Sequence, residues 1–289
     1  MNTRMLTALV LGTCALIACD ETPGSDDTYG SLELTTSAPT IEKPFTTADG
    51  WSIKYDRFLV HVSAITVAGL DGVITASATA QLLDQVAPPP KSLLSATLRR
   101  ARPWEDVSLQ IGPAAADGDV VAIEPAKDAD VEKIKKDGIA LYVEGKATKA
   151  GAPMIAFKWS FATDTLYGEC GGELGGVSTP GLVVPVDGTD AADIAMRGDV
   201  LFRDDATEAA PLRFDPFALA DADKNGEVTQ AELDAVTLEA LRQANRGAYG
   251  TAGNEEVTSL KGFVDERTKN IIGSFRAKGG CKAGPPPSP

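Results

Sequence analysis

In the stretch from Asp221 to Glu232, oxygen-bearing side chains recur with a spacing that could surround a hard divalent cation. Asp221, Asp223, Asn225, Glu227 and Thr229 fall on alternate residues, Glu232 follows three positions on, and Gly226 sits near the middle. Such an ion takes about six to eight oxygen ligands, and one short loop can supply them only if a residue in it tolerates a sharp turn. Other chemistries are narrowed by what the chain lacks. His61 is its one histidine, so a paired-histidine zinc site or a multi-histidine copper site cannot be assembled, and a conventional Ser-His-Asp triad would have to be built on His61 itself. Lying in Leu59-Val60-His61-Val62, it reads as a strand residue. Paired carboxylates could still cleave glycosidic bonds, and Glu169 with Glu173, Asp187 with Asp190 and Asp193, and Asp204 with Asp205 are available. An acidic chain produces such clusters by default.

The Asp221–Glu232 segment resembles the EF-hand calcium loop at every constrained position. The resemblance covers about Phe214 to Leu241 and implies one bound Ca2+. Asp221, Asp223 and Asn225 would bind through side chains and Glu227 through its backbone carbonyl. Thr229 would act directly or through water, and Glu232 would close the shell with both oxygens. Phe214, Phe217 and Leu219 before the loop and Leu233 and Val236 after it suit the two flanking helices. EF-hands work in pairs, and the one candidate partner, Gly250 to Lys261, has Gly250, Ala252 and Lys261 where acids are needed. A metal-free partner loop would set Val257 against Val228 in a short antiparallel contact; a coincidental likeness is the alternative.

The chain opens with a basic residue, Arg4, and a mostly apolar run from Met5 to Ala18, too short to span a bilayer comfortably. Leu16-Ile17-Ala18-Cys19 resembles the bacterial lipobox. That resemblance implies removal of residues 1–18, acylation of Cys19 and stable attachment to a membrane, since two or more acyl chains hold where one does not. Cys14 would leave with the signal and Cys19 would carry lipid, so Cys170 and Cys281 remain, as a disulfide or as two buried thiols. In an oxidising envelope they are expected to pair, closing a loop of about a hundred residues and stabilising the fold by roughly 4 to 5 kcal/mol at most.

With 41 acidic residues against 27 Lys plus Arg and a net charge of −14, the surface repels phosphate backbones, which argues against nucleic acid as a partner. Short Val, Ile, Leu and Thr runs separated by Gly and Pro indicate a mainly β protein. In Ile155 to Phe161 the large apolar side chains take every second place. Trp51, Ile53 and Tyr55 alternate before the parity shifts to Phe58, Val60 and Val62, which predicts a bulge. Asp71-Gly72 signals a hairpin. Runs at Val107–Ile111, Val120–Ile123, Ile139–Val143, Leu182–Val186 and Val200–Phe202 bring the count to that of a sandwich, with one helix over Asp128 to Lys136 ending before Gly138. From about Pro211 the period becomes helical, over Ala231–Gln243 and Leu260–Phe275.

The expected organisation is a lipoprotein signal over 1–18, a lipidated tether over 19–30, a β-sandwich over 31–205, a helical EF-hand region over 206–280 and a disordered Pro-rich tail over 281–289. This layout resembles uncharacterised bacterial lipoproteins and implies no activity. The expected role is that of a non-catalytic, calcium-binding lipoprotein of the cell envelope, on the outer membrane rather than the inner. An envelope polysaccharide is a candidate partner, and the alternatives are a polysaccharide-binding module and a carboxylate-dependent glycoside hydrolase. Trp51, Trp104 and Trp159 could stack sugars but have neighbours that favour core packing. Gly168 to Gly172 reads as a tight turn around Cys170, and Arg197-Gly198-Asp199 as an accidental match to an adhesive tripeptide. The basic cluster Arg99, Arg100 and Arg102 could face lipid headgroups or line an exposed loop.

Overall fold

A computed structural model describes residues 28–287 except Val73, Ala78, Pro89 and Arg100. The lipobox, Cys19, most of the tether, Arg100 and the last two residues of the tail lie outside the described residues.

The protein is mainly β. The organising element is the 17-residue strand Ser52–Ala68, against which Leu141–Thr148 and Asp106–Ile111 both run antiparallel. From there the large sheet continues on one side through Ile155–Phe161 to Glu227–Val228, and on the other through Thr165–Leu174 to Val177–Pro180. A four-stranded sheet runs in the order Ile272–Phe275, Thr189–Met196, Gly30–Ser37, Lys91–Leu98, with the middle pair parallel. The two sheets face one another in a sandwich-like arrangement. Leu32, Leu34 and Ile194 of the small sheet share one hydrophobic core with Val60, Val62 and Phe157 of the large one.

The bulge foreseen from the parity shift falls at Asp56. Glu144 pairs with Arg57 and Gly145 with Tyr55, leaving Asp56 unopposed, so Ile53 and Tyr55 enter the same core as Phe58 and Val60. The hairpin at Asp71-Gly72 forms, joining Ala68 to Ile74. Helix Asp128–Asp137 ends at Gly138, whose left-handed φ of 60° closes it, and it sets Val131 and Ile134 over Leu59, Leu82 and Tyr142 on the outer face of the large sheet.

Several expectations are corrected. Val200–Phe202 belongs to a single 3-10 turn rather than a strand. The helix expected over Ala231–Gln243 is two, Gln230–Ala235 and Leu238–Gln243, because Val236 and Thr237 turn extended and Thr237 bridges to Ser259. Leu260–Phe275 is helical only to Asn270; Ile272–Phe275 then becomes an edge of the small sheet. Gly280–Gly284 pairs with Thr165–Leu174, so order extends into the segment expected to be a disordered tail. The last third of the chain therefore contributes strands to both sheets. Its helices of six and eight residues bury Phe217, Leu233, Leu241 and Phe263 in the common core.

Candidate metal centre

The acidic loop is built onto an aromatic cluster. Helix Asp215–Ala220 leads into it, with Phe214 and Phe217 fully buried. Phe217 stacks on Trp159 at 5.6 Å, which stacks on Phe157 at 4.8 Å, and Phe202 packs edge-on at 5.3 Å to Phe217. Leu219 does not join them, being 56% exposed. Phe214 has no side chain able to cap the helix, and the Asp49 carboxylate supplies the cap from a distant turn, accepting from the Phe214 and Asp215 amides at 2.8 and 2.7 Å. Asp215 is held by the Trp51 indole at 2.7 Å and the Lys149 ammonium at 2.9 Å. Partial burial pushes its carboxyl up, but these two donors win and hold it below its ordinary value.

Beyond the helix the chain turns on itself. Lys224 and Gly226 adopt left-handed φ values of 57° and 82°. The turn is tied by Asp221, which accepts from the amides of Asn225 and Gly226 at 3.0 Å each, and by Asn225, which accepts from Glu227 at 2.7 Å. Glu227–Val228 then adds as a short parallel strand to the edge of Ile155–Phe161. Helix Gln230–Ala235 starts in a capping box, with Thr229 accepting from the Glu232 amide while the Glu232 carboxylate accepts from the Thr229 amide and hydroxyl, both at 2.8 Å. The Glu232 side chain is thereby swung back over the loop, where carboxylate oxygens of Asp221, Asp223 and Glu232 lie within 4.8 Å of one another. Each oxygen has two lone pairs, so these hydrogen bonds leave capacity for a ligand. The donor set is all oxygen and rich in negative charge, which fits a hard cation and not a soft one.

Val228 is the one fully buried residue of the loop. Its partner is not Val257, as a paired-loop arrangement would require, but Phe157. The Gly250–Lys261 segment instead touches the exit of the Gln230 helix. There the Leu238 amide donates to Thr258 and the Leu260 amide to Val236, at 2.9 and 2.8 Å. Gln230 extends the seal along the strand edge, its side chain both donating to and accepting from the Ser160 backbone, at 2.8 and 3.1 Å. Sequence reasoning missed Gln230 and Asp49. Both act through tertiary contacts with residues more than 60 positions away, for which no local pattern exists.

Elsewhere, Cys170 and Cys281 form a disulfide. Gly168–Gly172 is strand rather than turn. Gly172 serves close approach, since a Cβ there would lie 3.1 Å from the Phe275 carbonyl oxygen. The three tryptophans are all buried, at no more than 3% exposure, and build no exposed stacking row. Among the other carboxylates, Asp190 pairs with Arg276, Asp204 with Arg213, Glu169 with Lys282 and Glu173 with Lys278, while Asp193 accepts from Thr35 and Ser37. Arg102 is committed to Asp71 and lies over the Trp104 ring at 4.7 Å. His61 is buried, its Nδ1 2.6 Å from the Gly112 carbonyl.

The fold and site thus define a mainly β, disulfide-linked protein with an acidic loop sealed onto a sheet edge. No family model matches the chain, and no curated protein matches it. Among solved structures, MbnP from Methylosinus trichosporium is similar with a TM-score of 0.31 and 8% identity, over 60% of this chain and 77% of that one. A likeness of that size bears on neither fold nor function. Among the described residues, no helix is long and apolar enough to cross a membrane.

Proposed function

We propose that the protein is a lipid-anchored component of a bacterial cell envelope in which the Asp221–Glu232 loop binds one Ca2+ as a structural clamp. The observation that carries this reading is the convergence of the Asp221, Asp223 and Glu232 carboxylates within 4.8 Å on a loop with EF-hand spacing. Asn225, Thr229 and the Glu227 carbonyl complete the proposed ligand set. The ion would neutralise like charges that otherwise repel, and so lock the turn between two short helices.

A structural role fits the surroundings better than a sensing one. The loop covers a sheet edge, and both flanking helices are one to two turns long with core-embedded aromatic or aliphatic anchors. Opening them would expose Phe217 and Leu233 and unpair Val228, so the loop has little freedom to act as a hinge. Loops of this kind in extracellular modules bind at roughly 0.1 to 1 mM. At ten to a hundred times the dissociation constant, calcium would stabilise the fold by about 1.4 to 2.7 kcal/mol.

The envelope location rests on the Leu16–Cys19 pattern and is consistent with the Cys170–Cys281 bridge, which persists in oxidising compartments. Isothermal calorimetry of the full chain with CaCl2, alongside Glu232→Gln, tests the metal reading. One saturable site, weakened at least tenfold by the substitution, is expected; binding unaltered by Glu232→Gln would place the ion elsewhere. Mass spectrometry of membrane-extracted protein tests the anchor, which requires an acylated Cys19 as the first residue.

A further inference from the structure

In a chain of net charge −14, one cavity stands out for gathering three guanidinium groups. Arg197, Arg203 and Arg267 line it together with Thr207, Glu208 and Asn270, and its volume is about 90 Å3. A cavity of that size admits a tetrahedral oxyanion.

The charges are unevenly satisfied. Asp199 is buried and fully used, taking Arg197 at 3.2 and 2.8 Å and Arg203 at 2.9 Å. The Arg197-Gly198-Asp199 tripeptide is therefore closed upon itself rather than displayed. Glu208 holds the outer edge of Arg197 at 3.2 Å from an 85% exposed side chain, and is easily displaced. Arg267 is only 9% exposed and forms no ion pair among the described residues; its one hydrogen bond is a 3.3 Å contact to the Asp205 carbonyl, with the guanidinium 5.4 Å from the Phe263 ring. Among the described residues the buried Nε–H groups of Arg203 and Arg267 find no acceptor, although the rest of Arg203 is satisfied, Nη2 by Asp199 and Nη1 by the Glu208 and Ala210 carbonyls. Among the described residues, Arg267 is thus the one guanidinium lining the cavity with no carboxylate against it, which is unusual because buried guanidinium groups are normally paired with an anion. Burial lowers the Arg267 pKa from its ordinary value, and the charges of Glu266 and Asp205 oppose that without contacting the group. Arginine stays protonated nonetheless.

We propose that the cavity ringed by Arg197, Arg203 and Arg267 binds a small inorganic oxyanion of the phosphate or sulfate class. The planar guanidinium edges match tetrahedral oxygens, Thr207 and Asn270 offer neutral donors, and the ligand would displace Glu208 from Arg197. The site is separate from the calcium loop, drawing on the 3-10 turn Asp199–Phe202 and the helix Leu260–Arg267.

The full chain, dialysed into chelator-containing buffer free of phosphate and sulfate, is titrated calorimetrically with sodium phosphate or sodium sulfate, with sodium chloride at matched ionic strength as the control. The expected result is one saturable site for an oxyanion and none for chloride, weakened at least tenfold in Arg267→Met. Glu208→Gln, on the exposed rim, removes the competing carboxylate and should tighten binding several-fold, so the proposal stays testable if Arg267→Met fails to fold. Absence of saturable heat at about 20 mM oxyanion, twenty times a millimolar dissociation constant, overturns the proposal. So does unchanged affinity in a folded Arg267→Met or in Glu208→Gln.

Discussion

The indole Nε1 of Trp159 donates a hydrogen bond to the backbone carbonyl of Val228 at 2.9 Å, in the core. This joins a reporter in the large sheet to the one buried residue of the acidic loop. Because Val228 is also paired to Phe157, ordering the loop by a bound cation should sharpen the Trp159 environment. Adding CaCl2 to chelator-treated protein is expected to change tryptophan emission saturably and to raise the melting midpoint. Trp159→Phe should abolish most of the emission change while keeping the calcium-dependent rise in melting temperature. An identical emission change in Trp159→Phe would mean that Trp51 or Trp104 carries the signal and that the loop is not coupled through Val228.

Asp215 makes a separate prediction at acid pH. Its carboxyl is held below its ordinary value of 3.8 by Trp51 and Lys149 despite partial burial. A carboxylate depressed in the folded state contributes stability that is present above its unfolded pKa and lost as pH falls through the folded value. Urea midpoints should therefore drop between about pH 4 and pH 2. Asp215→Asn should lower the midpoint at pH 7 and flatten this decline. An unchanged acid limb in that variant would show that the pairing has no net worth.

How much of this was legible in the sequence depends on the range of the interaction. The alternation in Ile155–Phe161, the parity shift around Asp56 and the helix stop at Gly138 are all local, and each appears where the residues place it. The small sheet was harder to see. Gly30–Ser37 and Thr189–Met196 are short and rich in Thr, Ser and Asp, and only alternate residues such as Leu32, Leu34 and Ile194 reach the core. Ile271 and Phe275 sit four apart and imitate a helical face. The chain is nonetheless drawn into extended form because Ala195 and Ile194 offer a strand edge there. The partner of Val228 is likewise not legible, since nothing within the loop encodes that it docks on Phe157, some 70 residues earlier.

The disulfide should matter most at the chain end. Cys170 is fully buried in the Thr165–Leu174 strand, and Cys281 ties Gly280–Gly284 to it over a sequence separation of 111 residues. Of the surrounding interactions, the Lys282–Glu169 and Lys278–Glu173 ion pairs are exposed and worth little. Cys281→Ser is expected to cost about 2 to 4 kcal/mol in denaturant unfolding. It should also raise amide exchange selectively in residues 280–284. Equal stability with and without reductant would mean that the terminal strand is held by its backbone pairing alone.

His61 makes a further prediction, at milder pH than Asp215. Its ring is buried, with Nδ1 2.6 Å from the Gly112 carbonyl and Nε2 without a partner among the described residues. The short contact assigns the ring proton to Nδ1 in the neutral form, so protonation would place charge on Nε2. Burial depresses the pKa below 6.5, more than the Gly112 carbonyl raises it. For a base shifted in this direction the unfolded chain binds the proton first. The stability that depends on neutral His61 is therefore complete above about pH 6.5 and is lost as pH falls toward the folded value, with a slope of at most ~1.4 kcal/mol per pH unit for one proton. His61→Leu should remove that slope while leaving the acid limb of the carboxylates in place. A chemical-denaturation series from pH 7.5 to pH 4.5, run on both proteins with calcium held constant, checks it. Parallel curves would mean that the imidazole is solvated in solution and that its burial next to Gly112 is not maintained.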